Sequence, residues 1–410
     1  MEPKVRFKGL EGEWRRIKFG TISSRITRRN NTLECKLPLT ISANEGLISQ
    51  EKFFKNIVAS SNLGNYYLLK RGEFAYNKSY SNGYPFGAIK RLDKYDSGVL
   101  SPLYICFGIH DEVDSDYICF FFETTLWHKD VAERATEGAR NHGILNIGTE
   151  DFFDIDIMIP ESKEEQQAIA SFFRILDAKL QASAKKLESL KKLKSASLVA
   201  MFPQNGESTP KVRFKGFGGE WKETTLSECL DISYLQNSMV KYDKNDVLSV
   251  SDDFGVMNQI ELLGRSYAGK DVSSYSILQK GEIVYTKSPL KDKPFGIIKK
   301  NSYQTGIVSI LYAVYHSKDN ISADYIHYYF DPAWRLNAYM RPLVNKGAKN
   351  TMNISDEMAL MGSLIIPPSL AEQQAIAAYF RSLDRKIALE TARLEKLKQI
   401  KLACLDKMFV

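Results

Sequence analysis

Two short segments have residue types and spacings close to those of cofactor-binding motifs. GRSYAGKD, from Gly264 to Asp271, has the spacing of a phosphate-binding P-loop, but Asp271 stands where a hydroxyl group should help to hold Mg²⁺. DPAW, from Asp331 to Trp334, resembles the (D/N)PP(Y/W) signature of amino-methyltransferases. However, Ala333 replaces the second proline, and no glycine-rich cofactor loop accompanies it. A glycine turn and a helix turn with a packed tryptophan explain these two segments better.

A third segment combines Asp156 with Glu161 and Lys163, which mimics the acidic and basic side chains of a metal-dependent nuclease. Glu161 and Lys163, however, lie at the start of a long predicted helix. The five histidines are scattered and the five cysteines form no CxxC pair, so we expect reduced, mostly packed thiols rather than disulfides or zinc ligands. The sequence therefore predicts no catalytic residue, no metal site and no enzyme.

Two basic segments contain side chains suited to binding DNA. Residues 70–94 and residues 280–300 each hold six basic and two acidic side chains, interleaved with Tyr, Phe, Asn, Ser and Thr. Lysine and arginine neutralise phosphates, and amide and hydroxyl groups hydrogen-bond to base edges. A solvated hairpin explains the same composition equally well. The residues predicted here to bind DNA are Asn77, Lys78, Ser79, Lys90, Thr286, Lys287, Ser288 and Lys299.

A glycine-led loop provides the second set of candidates for DNA contacts. Arg140, Asn141 and His142 lie in the segment GARNHGILNI. The corresponding segment of the second copy, GAKNTMNI, contains Lys349 and Asn350. Arginine, lysine and asparagine are the side chains best shaped for the edges of guanine and adenine. A helix C-terminal cap explains these loops about as well, so both interpretations stay open.

The candidates recur because the chain contains a long internal repeat. PKVRFKGLEGEW, which starts at Pro3, returns as PKVRFKGFGGEW at Pro210, an offset of 207 residues. RGEFAYNK, YPFGAIK and GVLSPLY return in the same order as KGEIVYTK, KPFGIIK and GIVSILY. The copies are least similar between Thr21 and Asn65 and between Leu230 and Lys270. We therefore expect two domains of one fold that bind related ligands differently.

Within each copy, the pattern predicts a mixed domain of strands and helices. Segments around Phe74, Ala88 and Leu103 are apolar or alternate between apolar and polar residues. Each lies between glycine and proline residues, which is typical of strands. Helices are predicted at Tyr117 to Arg134 and Tyr325 to Met340, and a last strand at Phe153 to Ile159 and Met361 to Ile366.

A long helix is predicted to close each copy. Residues 162–202 and 369–409 align without a gap and are identical at 21 of 41 positions. Each begins with a sequence typical of a capping box, Ser162 with Glu165 and Ser369 with Glu372. At about 1.5 Å per residue, each helix would be roughly 60 Å long.

Apolar side chains on both helices recur with a seven-residue period, which predicts that the two helices pair. Ser183 against Glu390, and Lys194 with Lys401, interrupt these apolar lines, so the pair is not a uniform zipper. The predicted helix-pairing residues are Ile169, Phe173, Leu176, Leu180, Leu187, Leu190, Met201, Ile376, Phe380, Leu383, Ile387, Leu394, Leu397 and Met408.

Composition is that of a soluble globular protein with two or three domains. The chain has 410 residues, of which 44% are hydrophobic and 26% charged, with a net charge of +7. Most of the excess positive charge falls on the helix segments 161–203 and 368–410, each with eight basic and five acidic side chains. Local patches of basic side chains, rather than a generally basic surface, would therefore bind DNA. We expect no membrane span, no signal peptide and a cytoplasmic location.

The motifs FKGxxGEW, PFGxIK and GxxSxLY, together with EQQAIAxxFRxLDxK starting at Glu165 and Glu372, resemble those of the specificity subunit of type I DNA restriction-modification systems. The resemblance spans essentially the whole chain. It implies an α+β fold with two pseudo-twofold-related globular target-recognition domains, each followed by a long helix, the two helices forming an antiparallel coiled coil. Each domain would read one half of a bipartite, asymmetric DNA site.

The same resemblance implies partners that perform the chemistry. Two DNA adenine methyltransferase subunits would dock on the helices, bind S-adenosylmethionine and flip the target adenine. Restriction subunits would use ATP and Mg²⁺ to translocate and cut DNA, and no cofactor is expected in this chain. The predicted domains are a first recognition domain at 1–160, a central helix at 161–203, a second recognition domain at 204–367 and a C-terminal helix at 368–410.

Two other functions remain open from the sequence. One is a coiled-coil scaffold that binds proteins rather than DNA. The other, which the incomplete motifs disfavour, is a fused methyltransferase or nuclease.

Overall fold

The chain folds into two compact units. The first contains Met1–Ala184 together with Ala392–Val410, and the second contains Lys185–Thr391. The computed structural model describes residues 2–42, 45–54, 58–59, 62–79, 83–135, 145, 147–204, 206–290, 293–346 and 352–410.

Short strands and short helices form most of the first unit, and a long helix begins at its end. The strands are β1 Trp14–Lys18, β2 Ser23–Arg25, β3 Leu39–Ser42, β4 Gly46–Ser49, β5 Tyr67–Lys70, β6 Phe74–Asn77, β7 Ala88–Arg91, β8 Ser97–Leu100, β9 Ile105–Ile109 and β10 Asp156–Pro160. The helices are α1 Gln50–Phe54, α2 Ser115–Phe121, α3 His128–Arg134, α4 Thr149–Phe153 and α5 Lys163–Ala200, with a 3-10 turn at Phe19–Thr21.

The main sheet of the first unit has the strand order β2-β9-β6-β7, and all its pairs are antiparallel. Phe74, Ala75 and Tyr76 of β6 are completely buried, which explains the continuous apolar run that predicted this strand. Strand β1 pairs with β10, so that Trp14 lies opposite Pro160 immediately before α5. Strands β3 and β4, and strands β5 and β8, form two further antiparallel pairs.

Equivalent elements in the second unit follow the same order. Its strands are β11 Lys222–Thr225, β12 Leu230–Ile232, β13 Leu248–Ser251, β14 Gly255–Asn258, β15 Ser276–Leu278, β16 Ile283–Thr286, β17 Ile298–Lys300, β18 Gly306–Val308, β19 Tyr312–Ser317, β20 Asn345–Lys346, β21 Met352–Asn353 and β22 Ser363–Ile366. Its helices are α6 Leu226–Cys229, α7 Gln259–Leu263, α8 Ala323–Tyr329, α9 Ala333–Met340 and α10 Leu370–Met408, with a 3-10 turn at Met358–Leu360.

The duplication predicted from the sequence is visible in the strand pairing. The order β12-β19-β16-β17 repeats the main sheet, and the pairs β11-β22, β13-β14 and β15-β18 repeat the smaller ones. The pair β20-β21 is additional among the described residues.

The repeated PFG motif provides a glycine that the hairpin of each main sheet requires. Gly87 and Gly296 have φ angles of +79° and +77°. A Cβ atom at these positions would lie 2.0 Å from the carbonyl oxygen of Asn77 and 1.9 Å from that of Thr286. Only glycine fits both this backbone conformation and this close approach.

Two local predictions were wrong in detail. Leu103 does not lie in a strand but in the turn between β8 and β9, where the Leu103 amide and the Ser101 hydroxyl lie 3.4 Å apart in a hydrogen bond. The predicted helix at 325–340 is two helices, because Pro332 caps α9 and disfavours helical conformation at Asp331. The equivalent helix at 117–134 is also divided into α2 and α3.

The long helices begin with an ion pair rather than with a complete capping box. The Ser162 hydroxyl accepts the Glu165 amide at 3.2 Å, but the Glu165 carboxylate accepts two hydrogen bonds from Arg6, at 2.7 and 2.8 Å. Arg213 makes the same pair of bonds to Glu372, at 2.6 and 2.7 Å. Because both carboxylates are buried, the repeated KVRFKG segment is held against the start of each helix.

Segments of α5 and α10 pack against each other in opposite directions within each unit. In the first unit, the ring of Phe173 lies 5.8 Å from that of Phe409. In the second unit, the ring of Phe380 lies 5.9 Å from that of Phe202. Of the predicted helix-pairing residues, Ile169, Phe173, Leu176, Met201, Ile376, Phe380, Leu383 and Met408 are buried, and Leu180, Leu187, Leu190, Ile387, Leu394 and Leu397 are partly buried.

All five cysteines are free thiols, and Cys35, Cys106 and Cys229 are buried. No helix in the described part of the chain combines the length and the apolar character needed to cross a membrane.

Candidate nucleic-acid interface

The first group of candidate DNA-binding residues lies at the end of β6. Asn77 is the last residue of this strand, and its side-chain oxygen accepts the Ser79 amide at 3.0 Å. The Lys78 ammonium donates to the carbonyl oxygen of Ile147 at 3.2 Å, while the Lys78 carbonyl oxygen accepts the Leu145 amide at 2.9 Å. Burial lowers the pKa of Lys78. Lys78 therefore joins the strand end to the chain that follows the glycine-led loop.

Lys287 has the equivalent position at the end of β16. Its ammonium lies 2.7 Å from a carboxylate oxygen of Asp356, which is offset from Ile147 by the same 209 residues that separate the two lysines. Its backbone amide donates to the carbonyl oxygen of Leu311 at 3.3 Å. Both lysines are half-buried, so each has one side on the protein and one side open to solvent.

Three other candidates contact side chains or backbone groups of their own units. The Lys299 side chain is buried and its ammonium lies 2.7 Å from Asp331. Lys90, its equivalent in the first unit, lies 3.8 Å from Glu123. The buried Thr286 hydroxyl accepts the Ile297 amide at 3.0 Å. These side chains already have structural partners.

The remaining candidates are distributed as follows. Ser288 is half-buried directly after Lys287. Arg140, Asn141, His142, Lys349 and Asn350 lie outside the described residues.

Exposed apolar side chains accumulate where the two copies differ most in sequence. In the segment 230–270, Met239 is 94% exposed and Tyr234 is 77% exposed, and the Arg265 guanidinium stacks 4.5 Å from the ring centre of an exposed tyrosine, Tyr267. In the segment 21–65, Phe53 and the neighbouring Phe54 are exposed. Isolated exposed apolar residues need no explanation, but a concentration in one segment is typical of a binding surface.

The motifs close to those of enzymes have structural roles. Gly264 ends α7 in the left-handed conformation with a φ of +79°. Asp331 is half-buried between Lys299 and Lys194, and these cations hold the pKa of its carboxyl group below the usual value although loss of hydration alone would raise it. Among the described residues, no group of three or more His, Cys, Asp or Glu side chains is arranged to hold a metal ion.

The sequence alone did not identify the polar side chains that join the long helices to the head of each unit. The head of a unit consists of its strands and short helices. Glu165 and Gln166, with Glu372 and Gln373, are buried, and Gln166 accepts the Asp114 amide at 2.8 Å. The repeat contained the signal, because these residues and their partner arginines recur at one common offset of 207 residues.

The fold is that of a type I specificity subunit. The S subunit of the type I restriction-modification system from M. genitalium is similar over 100% of this chain and 99% of its own, with 16% identity and a TM-score of 0.60. A chain from a structure of type I R-M complex assembly and conformational transition has 15% identity, a TM-score of 0.49 and coverages of 98% and 99%. The HsdS subunit from Thermoanaerobacter tengcongensis has 16% identity, a TM-score of 0.45 and coverages of 97% and 96%.

A family model assigns the second copy directly. Residues 220–399 match the type I restriction modification DNA specificity domain. The segment 220–399 is therefore similar to this domain, and the motifs of the segment recur in the first unit. No curated protein matches the chain.

Proposed function

We propose that this chain is the DNA sequence-specificity subunit of a type I restriction-modification complex, in which each unit reads one half of a bipartite, asymmetric DNA site. The observation that carries this proposal is the contrast within the repeat. The two units share strand order, helix contacts and buried polar pairs, yet their exposed segments at 21–65 and 230–270 differ. The shared framework can bind the phosphate backbone, which has the same chemistry in every DNA sequence. The segments that differ can contact the bases, which differ between the two half-sites.

DNA contacts are proposed at the strand ends of both main sheets. Asn77, Lys78 and Ser79 in the first unit, with Lys287 and Ser288 in the second, combine ammonium, amide and hydroxyl groups at half-buried positions. Arg140, Asn141, His142, Lys349 and Asn350, in the glycine-led loops, belong to the same proposed surface. Thr286 and Lys299 are assigned structural roles because both are buried and have partners inside the protein. Lys90 is as exposed as Lys287 and belongs to the proposed surface.

The long helices are proposed to form an antiparallel coiled coil that sets the spacer between the half-sites and docks two adenine methyltransferase subunits. Exposed apolar side chains on these helices support a docking role, since they gain nothing from solvent. They are Ile175, Leu193, Val199, Leu389, Ile400 and Leu402. S-adenosylmethionine, ATP and Mg²⁺ are proposed to act in the methyltransferase and restriction subunits.

The test uses the chain assembled with its methyltransferase partners and measures DNA affinity across a range of salt concentrations. Lys78→Ala and Lys287→Ala should each weaken binding and lower the slope of log affinity against log salt by about 1, because each removes one phosphate contact. Lys192→Ala is the matched control, since this lysine is exposed on α5 and pairs with Glu188 on the same helix.

Three results would refute the proposed DNA contacts or the function itself. Unchanged salt slopes in both variants, with reduced thermal stability, would mean that the lysines only tie strand ends to the returning chain. Absence of DNA binding by the parent complex, together with specific capture of protein partners, would favour the coiled-coil scaffold. Binding of S-adenosylmethionine or cleavage of DNA by the isolated chain would favour a fused enzyme.

A further inference from the structure

Lys401 interrupts the apolar line of α10, and the structure explains why a cation is placed there. Its ammonium lies 2.6 Å from Asp177 on α5 and 2.7 Å from Glu123, in the connection between α2 and α3. The Lys401 side chain is only 17% exposed. One side chain therefore joins three elements of the first unit: α10, α5 and the head.

Lys194 makes the equivalent contacts in the second unit. Its ammonium lies 2.8 Å from Asp384 on α10 and 2.9 Å from Asp331, between α8 and α9. The helix residues of the two sets are related by 207 positions and the head carboxylates by 208. The same arrangement thus occurs twice, once in each copy of the repeat.

Aromatic rings and a second lysine complete both clusters. The Lys401 ammonium lies 5.6 Å from the ring centre of Phe120, and the Lys194 ammonium lies 5.7 Å from that of Tyr328. On the far side of the head carboxylates lie the strand lysines Lys90 and Lys299, described above. Two cations therefore contact two carboxylates in each cluster, and in the second unit Lys299 also lies 3.4 Å from Asp252.

Burial alone would lower the pKa of Lys401, but Glu123 and Asp177 outweigh burial and raise it. The side chain is therefore a cation at neutral pH. A buried ion pair contributes little net stability compared with well-packed apolar residues, because both charges lose their hydration. Its short hydrogen bonds are, however, directional, whereas apolar contacts tolerate sliding and rotation.

We propose that Lys401 and Lys194 are positioning residues that fix the orientation of each head on its helix segments, and that they thereby narrow the range of DNA spacer lengths that the protein accepts. This inference rests on the proposed function of the chain as a specificity subunit. It assigns to two half-buried lysines a contribution to site selection without any contact with DNA.

The test uses double variants that leave no unpaired charge. Lys401→Met with Asp177→Asn removes the helix-to-helix bridge but leaves Glu123 to pair with Lys90. Lys194→Met with Asp384→Asn leaves Asp331 to pair with Lys299. The matched control is Lys398→Met, an exposed lysine on α10 that pairs with Glu395 of its own helix.

Each variant is assembled with its methyltransferase partners and offered duplexes whose spacers differ from the parent length by one and two base pairs. The rate of methylation at the parent spacer, divided by the rate at the altered spacer, should fall by about tenfold, which corresponds to about 1.4 kcal/mol of discrimination. The salt slope of DNA binding should stay at the parent value, since neither lysine contacts phosphate. The control variant should keep the parent ratio.

An unchanged ratio in a folded double variant would overturn the proposal, even if methylation were slower on every duplex. Hydrogen exchange of the affected unit reports folding. If a double variant unfolds, Asp177→Asn alone retains the Lys401–Glu123 pair and should give an intermediate ratio, and a parent-like ratio there would overturn the proposal. A parent complex that does not bind DNA would refute the proposed function instead.

Discussion

Phe409, the penultimate residue, should stabilise the first unit although more than 200 residues separate it from the head of that unit. Its side chain is 4% exposed, and its ring centre lies 5.2 Å from that of Tyr117 and 5.8 Å from that of Phe173. Replacement by alanine removes a buried aromatic ring and leaves a cavity. Such changes typically cost about 3–5 kcal/mol.

Hydrogen exchange measured by peptide would locate this loss. In Phe409→Ala, slowly exchanging amides of β6 and β9 should exchange between about one hundred-fold and several thousand-fold faster, because about 1.4 kcal/mol corresponds to a factor of ten. The repeat provides a mirror experiment. Phe202 is buried against Tyr325 and Phe380 in the second unit, so Phe202→Ala should accelerate exchange in β16 and β19 instead.

Leu402→Ala is the control for helix propensity and for substitution near the C-terminus. Leu402 lies on α10 and is 68% exposed, so its replacement should change stability by less than about 0.5 kcal/mol. The reasoning would be refuted if Phe409→Ala accelerated exchange only in the last turn of α10. It would also be refuted if both units lost protection equally, because the aromatic contacts of Phe409 lie in the first unit alone.

Two further predictions concern the second unit. In denaturant titrations, Gly296→Ala should destabilise this unit by about 2 kcal/mol more than Gly264→Ala. The two glycines have nearly equal φ angles, but only at Gly296 would an added Cβ atom lie 1.9 Å from a carbonyl oxygen. Equal losses of stability would rule out the steric argument. His327→Gln should make the free energy of unfolding less dependent on pH between about 6.5 and 4. Burial lowers the pKa of His327 to about 4, so the unfolded chain binds more protons in this interval, and the parent should lose up to about 3 kcal/mol as the pH falls; parallel pH profiles would contradict this.

The sequence predicted elements well where the signal was local. The apolar run at Phe74 and the seven-residue period of the long helices are set by neighbouring residues, and both correspond to elements in the structure. The strand predicted at Leu103 was wrong because this leucine lies in an exposed turn. An apolar residue in an exposed turn looks the same in sequence as one at the buried end of a strand. The predicted capping box failed for a different reason. Glu165 binds Arg6, a partner 159 residues away that no helix-start rule includes.

The candidate site was harder to predict because composition does not reveal which lysine faces solvent. Lys78, Lys90, Lys287 and Lys299 look alike in sequence, yet their partners differ. Lys78 contacts a backbone carbonyl and Lys287 contacts Asp356 after the glycine-led loop, whereas Lys90 and Lys299 contact Glu123 and Asp331. The distinction depends on Glu123 and Asp331, which approach through the packing of α2 and α8 on the main sheets. Only tertiary structure provides that information.

The role of the positive charge on the long helices depends on which acidic side chains lie next to it. Most of the net positive charge lies on the helix segments, which could suggest that they follow the DNA backbone. In the structure, however, Arg174 lies 2.8 Å from Asp116 of the first head, and Arg381 lies 2.5 Å from Asp324 of the second. With Lys401 and Lys194 paired as well, much of this charge is complementary to carboxylates of the heads. Under the proposed function, DNA contacts would then lie mainly in the heads, because these basic residues of the helices are already paired with head carboxylates.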